Sequence, residues 1–402
     1  MRQENERGHG DFGFRPGARN HYESAAERLC AELFRTLRRR DQREKAHIYV
    51  TGLLTTPGRK SVRNIAQSFH GSGAEQSLHH FINDSSWDWM PVRRALVEHA
   101  RSHRPVRAWV VEPMVVPKTG EHSVGVAPSF FGERGRPQNV QLSFGIWAAS
   151  EYGSLPVAWW LHVPREWLAD DERRLRAVIP TDLRPSTVES GVVDAVRDIV
   201  PDDGLPLVLD ANRLDALAAA RRLTLTGTPF LLLVAPGTPL VVNDPNLLGR
   251  LGTLMTAERI AWASHSMRRP VSWSGPGESG AVHISAVADV PVQLPAVPAR
   301  PAREAGSADG LRLLCIGGAR HGRAPHTWLT NLPRHRLPET LYAASLVQRI
   351  RLEESGTAER VGIRDYAGRT FTGWHRHATL VSVAHAVMSG HTDRRREQLR
   401  VS

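Results

Sequence analysis

Three carboxylates stand in contexts that suit metal-dependent phosphate chemistry. Glu112 follows the apolar, strand-like run "AWVV", and Asp210 closes the run "LPLVLD" directly before a helical segment. Open α/β sheets present functional side chains at such strand ends. A third carboxylate, Glu353 or Glu354, lies late in a helical segment. Oxygen ligands of this kind suit Mg²⁺, and two ions about 4 Å apart can clamp the attacking and leaving oxygens of a phosphodiester.

Each strand-end acid also has a structural interpretation. A carboxylate in the position of Asp210 is a common helix cap. Pro113 has no N–H for a strand ladder, so the sequence predicts that the chain leaves the sheet directly after Glu112. Sequence spacing alone cannot bring positions 112, 210 and 353 together. Their convergence on one sheet is therefore a hypothesis about the fold.

Histidine and cysteine offer weaker candidates for chemistry. The histidine pairs lack a zinc-like spacing with cysteines, and the run His375-Arg376-His377 is interpreted as the polar start of a helix. Two cysteines, Cys30 and Cys315, are too few for a disulfide framework and are predicted to be reduced thiols.

The elements around the acids predict an α/β fold in which a mixed sheet is flanked by helices. A helical region precedes the first strand, and "LPLVLDANRLDALAAARRLTLTGTPFLLLVAPG" has the strand, helix and strand of a βαβ unit. A β-containing insertion and proline-rich loop interrupt the sheet domain. The predicted segments are a disordered N-terminus 1–20, a helical region 21–103, a first sheet part 104–240, the insertion 241–310, a last sheet part 311–390 and a basic tail 391–402.

Charge favours a nucleic-acid partner. Among the 402 residues, 52 Lys and Arg stand against 41 Asp and Glu, a formal charge of +11 carried mostly by arginine. The arginine fork fits phosphate oxygens bidentately. Composition bias from a GC-rich genome is the alternative explanation. The sequence has no apolar run long enough to cross a membrane and no segment that resembles a signal peptide. The cytoplasm is therefore the expected location.

Several runs together resemble one known family. They are "YVTGLLTTPGRKSVRNIAQSF", "SLHHFINDSSWDWMPVRRAL", a long block from "PKTGEHSVGVAPSFFG" to "LHVPREWLADDERR", and "DYAGRTFTGWHRHATLVSVAHA". They are similar to the insertion sequence 701 family of DDE-superfamily transposases over about residues 45–390. The resemblance implies an RNase H-like domain, a DNA-binding role for the helical region 21–103, and three acids that hold two metal ions. It also implies double-stranded DNA as substrate and a dimeric or larger assembly that pairs transposon ends.

The acidic positions depart from that family's pattern. Members usually read "WVVDDTGFPKKG" where this chain reads "WVVEPMVVPKTG", so Glu112 and Pro113 replace an Asp-Asp pair. Asp210 matches the second acid. The third lies in a helix reading approximately "RWRIERDYQELKQELGLDHYEGR" where this chain has "QRIRLEESGTAERVGIRDYAGR". Glu353 matches it only with a two-residue gap, because an ungapped match places Arg351 there.

These departures predict a transposase-derived DNA-binding protein whose metal-dependent strand cleavage is weak or lost. Two alternatives stay open. One is an active transposase in which Glu112, Asp210 and Glu353 hold Mg²⁺ or Mn²⁺ and catalyse strand cleavage and transfer. The other is a recruited protein without a DNA role that reuses the old cleft. The residues predicted to contact DNA are Arg38, Arg39, Arg40, Arg59, Lys60, Arg63, Lys118, Arg394, Arg395 and Arg396.

Overall fold

The computed structural model describes residues 16–69, 73–129, 137–276, 281–296, 310–317 and 326–401, with side chains from Tyr22 to Gly390. Residues 1–15 of the segment predicted to be disordered lie outside this description, and the first helix begins at Pro16. The helices are α1 (Pro16–Leu33), α2 (Arg40–Thr55), α3 (Val62–Gln67), α4 (Ala74–Asn83), α5 (Met90–His103), α6 (Arg165–Ala169), α7 (Asp171–Arg176), α8 (Val188–Ile199), α9 (Ala216–Leu225), α10 (Ala257–Ala263), α11 (Leu337–Glu353) and α12 (Phe371–Val401).

The strands of the described residues form one mixed sheet. They are β1 (Val106–Pro117), β2 (Val126–Ser129), β3 (Gln138–Ser150), β4 (Ser154–Leu161), β5 (Leu207–Asp210), β6 (Phe230–Leu233), β7 (Pro239–Val242), β8 (Leu254–Thr256), β9 (Arg269–Ser274), β10 (Val282–Gln293), β11 (Arg312–Ile316) and β12 (His326–Thr330). The strand order is β2-β3-β1-β5-β6-β12-β11-β10-β7-β8, with β4 paired to β3 and β9 to β10.

The centre of this sheet has an RNase H-like arrangement. Strands β1, β3 and β4 pair antiparallel, and β5 and β6 then run parallel to β1 on its other side. The predicted βαβ unit is β5-α9-β6, whose strands are completely buried except at Asp210. Together with the helices α1 to α5 before β1, this confirms the predicted fold class.

The insertion extends the same sheet. Its longest strand, β10, pairs with β11, and β11 pairs with β12, which in turn lies against β6. Strands β7 and β8 form an outer pair beside the end of β10. The β-containing insertion that the sequence predicts is therefore continuous with the central sheet.

Strand β1 continues through Pro113, which corrects the prediction that the chain leaves the sheet there. Pro113 pairs with Phe144 of β3, and the antiparallel pairing runs on to Pro117. The reason is that β5 pairs with β1 only over Trp109–Val111. Beyond Val111 only β3 neighbours β1, and a proline is tolerated where no second strand needs its N–H.

Helix α12 joins the N-terminal helices to the sheet. It contacts β4, α1, α2 and α4. The run 375–377 is not the polar start of a helix, because α12 begins at Phe371 and all three side chains are buried. His377 Nδ1 and Tyr49 Oη of α2 share a hydrogen bond at 2.9 Å, and Arg376 donates to the carbonyls of Ile82 in α4 and Trp87 in the loop before α5. None of the described helices is apolar enough over a sufficient length to span a bilayer.

Candidate active site

Glu112 and Asp210 lie side by side at the end of the parallel pair β1 and β5. Val111 pairs with Leu209, so the next residue of each strand is the carboxylate. Glu112 is buried, and its Oε2 atom has no hydrogen-bond partner among the described residues. Asp210 accepts a hydrogen bond from the Asn212 amide at 2.9 Å. Asp210 is not the cap of α9, because Asp215 accepts from the amides of Leu217 and Ala218 at that position.

The guanidinium of Arg351 connects these two carboxylates. Its Nε atom donates to Oε1 of Glu112, and its Nη2 atom donates to Oδ2 of Asp210. The Glu112 side chain is 5% exposed, the Asp210 side chain 13% and the Arg351 side chain 39%. The permanent positive charge of arginine thus lies between two largely buried carboxyl groups.

Helical periodicity explains why Arg351, and not Glu353, faces these strands. Each helical residue rotates by about 100°, so position 353 lies about 200° from position 351, whereas position 354 returns to within about 60°. Glu353 instead accepts from the Ser154 amide at 3.1 Å and lies 3.7 Å from Arg349. The structure therefore brings Glu112 and Asp210 together and directs Glu353 to the turn between β3 and β4.

Glu354 and Arg364 form a second ion pair next to the first. Glu354 begins a π-helical turn that follows α11, and it accepts from Arg364 Nη2 at 2.9 Å. Arg364 Nη1 also donates to the Val115 carbonyl of β1 at 2.8 Å. Burial raises the pKa of Glu354 to about 7, with Arg364 opposing the shift. Burial also raises the pKa of Glu112 to about 7, opposed by Arg351 and reinforced by the charges of Asp210 and Glu354.

These residues do not fit the divalent ions that the family resemblance implies. The described residues contain no group of three or more His, Cys, Asp or Glu side chains placed to hold a metal. Both strand-end carboxylates are already hydrogen-bonded to Arg351. A divalent cation between them would meet that guanidinium at contact distance, where like charges repel strongly. We therefore derive no catalytic step through a metal ion in this arrangement.

The predicted DNA-contact residues occupy different environments. Arg38, Arg59 and Arg63 are exposed, whereas Lys60 is buried and its Nζ atom donates to the Thr56 carbonyl. Lys118 is partly buried and donates to the Tyr366 carbonyl at 3.3 Å.

Two further residues of that set form local ion pairs. Arg39 contacts Asp41 and Arg40 contacts Glu44, and all four side chains are exposed. Positions 394 to 396 belong to the C-terminal part of α12, where the structure describes the backbone alone.

Arg351 and Arg364 are the site residues that the predicted set omits. An ungapped alignment of the late helix already placed Arg351 at the third acidic position, so its signal was present in the sequence. Arg364 has no comparable signal, because its contacts to Glu354 and Val115 depend on how the chain folds after the π-helical turn.

Residues 32–211 match a protein family described as DDE superfamily endonuclease. This segment begins in the helical region and includes both Glu112 and Asp210. The match supports a DDE transposase-type family for the chain. No curated protein matches the chain.

Proposed function

We propose that this chain is a transposase-type protein, derived from an insertion sequence 701 transposase, that binds double-stranded DNA without metal-dependent strand cleavage. Its matched segment suggests a nuclease-type ancestry. The bridge from Arg351 to Glu112 and Asp210 is the observation that carries the loss of cleavage. The positive charge that metal ions would bring to the carboxylates comes instead from a side chain.

A guanidinium cannot replace the chemistry of a divalent ion. A metal activates a bound water and orients the attacking and leaving oxygens, whereas arginine has only N–H donors and no open coordination position. In this arrangement Glu112 and Asp210 stabilise the contact between α11, β1 and β5. The fold is retained while the cleavage chemistry is lost.

DNA binding is the part of the ancestral activity that needs no metal. The chain carries a formal charge of +11, and Arg38, Arg59 and Arg63 are exposed. Lysine and arginine side chains that neutralise phosphates release counterions, so such binding weakens as salt rises. Double-stranded DNA is therefore the proposed partner. A homodimer that holds two DNA segments is part of the same proposal.

The test combines a binding assay and a cleavage assay on the complete chain. Anisotropy with a labelled duplex should give a dissociation constant that rises steeply between about 50 and 200 mM salt. Incubation of the same duplex, or of DNA flanking the gene, with Mg²⁺ or Mn²⁺ should leave both strands intact. Nicks that disappear in the Asp210→Ala variant would refute the loss of cleavage, and a duplex that stays unbound at low salt would refute DNA binding.

A further inference from the structure

Three segments that are distant in sequence meet beside the end of β1. The loop after α2 is held by the Lys60 amide, which donates to Asp365 Oδ2 at 2.7 Å. The end of β1 is held by Lys118, whose Nζ atom donates to the Tyr366 carbonyl at 3.3 Å. Residues 364–366 thus connect the N-terminal helical region with the sheet.

The side chains at this meeting point are predominantly cationic. Arg59 is exposed in the first segment, Lys118 lies in the second, and Arg364 lies in the third with its side chain 32% exposed. Burial lowers the pKa of the Lys118 ammonium, the nearby Arg59 guanidinium lowers it further, and the Asp365 carboxylate opposes both effects. The fold therefore holds the Arg59 and Lys118 cations near each other, with one acid beside them.

Two acids lie in this region. Glu354 accepts from Arg364, and Asp365 accepts from the neutral Lys60 amide while its charge also acts on the Lys118 and Lys60 ammonium groups. Within the described part of the chain, neither Arg59 nor Lys118 forms an ion pair. Lys118 has three N–H donors, of which the Tyr366 carbonyl takes one. The hydrogen bond to the Tyr366 carbonyl gives Lys118 a structural role for one of its donors. It gives no structural role to the Arg59 guanidinium.

An anion that bridges Arg59 and Lys118 would relieve their repulsion. Arg364 contacts the carbonyl of Val115, which lies three positions before Lys118, a distance of about 10 Å in an extended strand. Glu112, which pairs with Arg351, lies a further three positions back along β1. About 10 Å corresponds to roughly three phosphates of one DNA strand, since each strand carries one phosphate per ~3.4 Å. Lys118 and Arg364 are therefore spaced over a length that a short stretch of DNA backbone could follow.

We propose that Arg59, Lys118 and Arg364 form a phosphate-binding surface, the junction surface, on which the DNA backbone lies beside the Arg351 ion pair. This inference rests on the proposed DNA-binding function and specifies the face that carries it. Phosphate contacts of this kind fix the position of a duplex without reading its sequence. The junction surface is consequently expected to bind duplexes of different sequence with similar affinity.

The experiment measures duplex affinity against salt for the complete chain and two double variants. In Arg59→Gln/Lys118→Gln the junction surface loses two charges. Its control is Arg250→Gln/Arg259→Gln, in which two exposed arginines near β8 and α10 are neutralised, so both variants have the same net charge. Arg59→Gln alone and Lys118→Arg guard against a folding defect from losing the Lys118 contact, and circular dichroism checks each variant.

We expect the junction variant to bind at least tenfold more weakly than the control and to lose about 0.9 from the log-log salt slope per phosphate contact removed. On a logarithmic scale, Arg59→Gln alone should lose about half as much affinity as the double variant. Lys118→Arg should bind like the unmodified chain. Equal affinity and slope in the junction and control variants would overturn the junction surface while leaving DNA binding intact. A complete chain that does not bind duplex DNA would overturn both proposals.

Discussion

At position 351 a guanidinium lies between the carboxyl groups of Glu112 and Asp210. Two carboxylates next to each other would repel, and Arg351 compensates that repulsion through one hydrogen bond to each. Because all three groups are partly or wholly buried, removing one partner costs more free energy than it would for a surface pair.

The first prediction at this scale concerns Arg351→Glu. Removing one partner of a fully buried ion pair costs ~3–5 kcal/mol. Because the Arg351 side chain is 39% exposed, we expect a smaller loss, about 2 kcal/mol of unfolding free energy without metal. Three carboxylates would then face one another, and Mn²⁺ should raise the thermal unfolding midpoint by mass action. Differential scanning fluorimetry with Mn²⁺ or EDTA measures the effect.

Two controls separate this effect from general charge effects. Arg351→Gln removes the cation without adding a ligand, and Arg360→Glu reverses an exposed charge in a nearby segment. Neither control should gain stability from Mn²⁺ beyond that of the unmodified chain. If Arg351→Glu responds to Mn²⁺ no more than Arg351→Gln does, position 351 does not complete a metal site.

The second prediction concerns the pH dependence that Glu112 causes. Burial raises its pKa from the ordinary 4.5 to about 7 in the folded chain, so folding favours the protonated form. This contribution to stability is complete below about pH 4.5 and is lost as the pH rises through about 7. In urea unfolding, the free energy of unfolding of the unmodified chain should therefore fall relative to that of Glu112→Gln as the pH rises from 5 to 8.

The comparison isolates Glu112 because Glu354, whose pKa is also raised to about 7, is present in both chains. The charges that face Glu112 are those of Arg351, Asp210 and Glu354. Parallel pH profiles for the two chains would show that Glu112 stays ionised in the folded state over this range.

At the scale of elements, the packing of α8 on β4 depends on the glycine at position 191. A Cβ atom there would meet the six-membered ring of Trp160, a rigid neighbour. A helical glycine ordinarily costs about 1 kcal/mol relative to alanine, but overpacking costs about 1–3 kcal/mol. We predict that Gly191→Ala lowers the free energy of unfolding by about 1–2 kcal/mol, measured by urea titration.

Gly356 provides the matched control for Gly191. It lies in the π-helical turn, and an added Cβ atom would meet no other atom within 4 Å. Gly356→Ala should therefore raise stability by up to about 1 kcal/mol. Opposite signs for the two substitutions are the expected result, and a stabilising Gly191→Ala would mean that α8 can shift away from β4.

The elements with local sequence signals were predictable. Strands β5 and β6 are continuous apolar runs separated by a helix of the length that a parallel crossover needs, and the structure has that unit. The continuation of β1 through Pro113 was not predictable locally, because it depends on where β5 stops pairing with β1.

The proximity of Glu112 and Asp210 was a hypothesis that the sequence could not settle. The two acids are neighbours because β5 pairs in parallel with β1 up to Val111 and Leu209, although β1 itself continues beyond Glu112. The residue supplied by α11 depends on the rotation of that helix about its axis. A gap of two residues in the alignment moves the predicted position from Arg351 to Glu353, which point in directions about 200° apart around the helix axis.

At the scale of the whole molecule, α12 holds the helical region and the sheet in one unit. Trp159 Nε1 of β4 donates to Ser382 Oγ at 3.1 Å, and the His385 ring packs edge-on against Trp147 of β3 at 5.5 Å. Towards the helical region, Arg93 of α5 donates to Thr379 Oγ1 at 2.8 Å. The predicted DNA contacts at 38–63 and the junction residues near 364 are therefore held in one orientation through a buried helix.

Arg376 connects α12 with the helical region through several hydrogen bonds. It donates to the carbonyls of Ile82, Ser85 and Trp87, and its guanidinium lies 5.4 Å from the Trp87 ring centroid. In Arg376→Met these buried carbonyls lose their donor, at about 1–3 kcal/mol each before relaxation. We expect a total loss of about 3–4 kcal/mol, with amide hydrogen exchange in α4 and α5 accelerated more than in β5 and β6.

The control is Arg360→Met, because Arg360 is exposed and bonds only Thr357 among the described residues. Uniform acceleration across all these elements in Arg376→Met would mean that the helical region and the sheet unfold together even without the Arg376 contacts, and that other contacts of α12 supply the coupling.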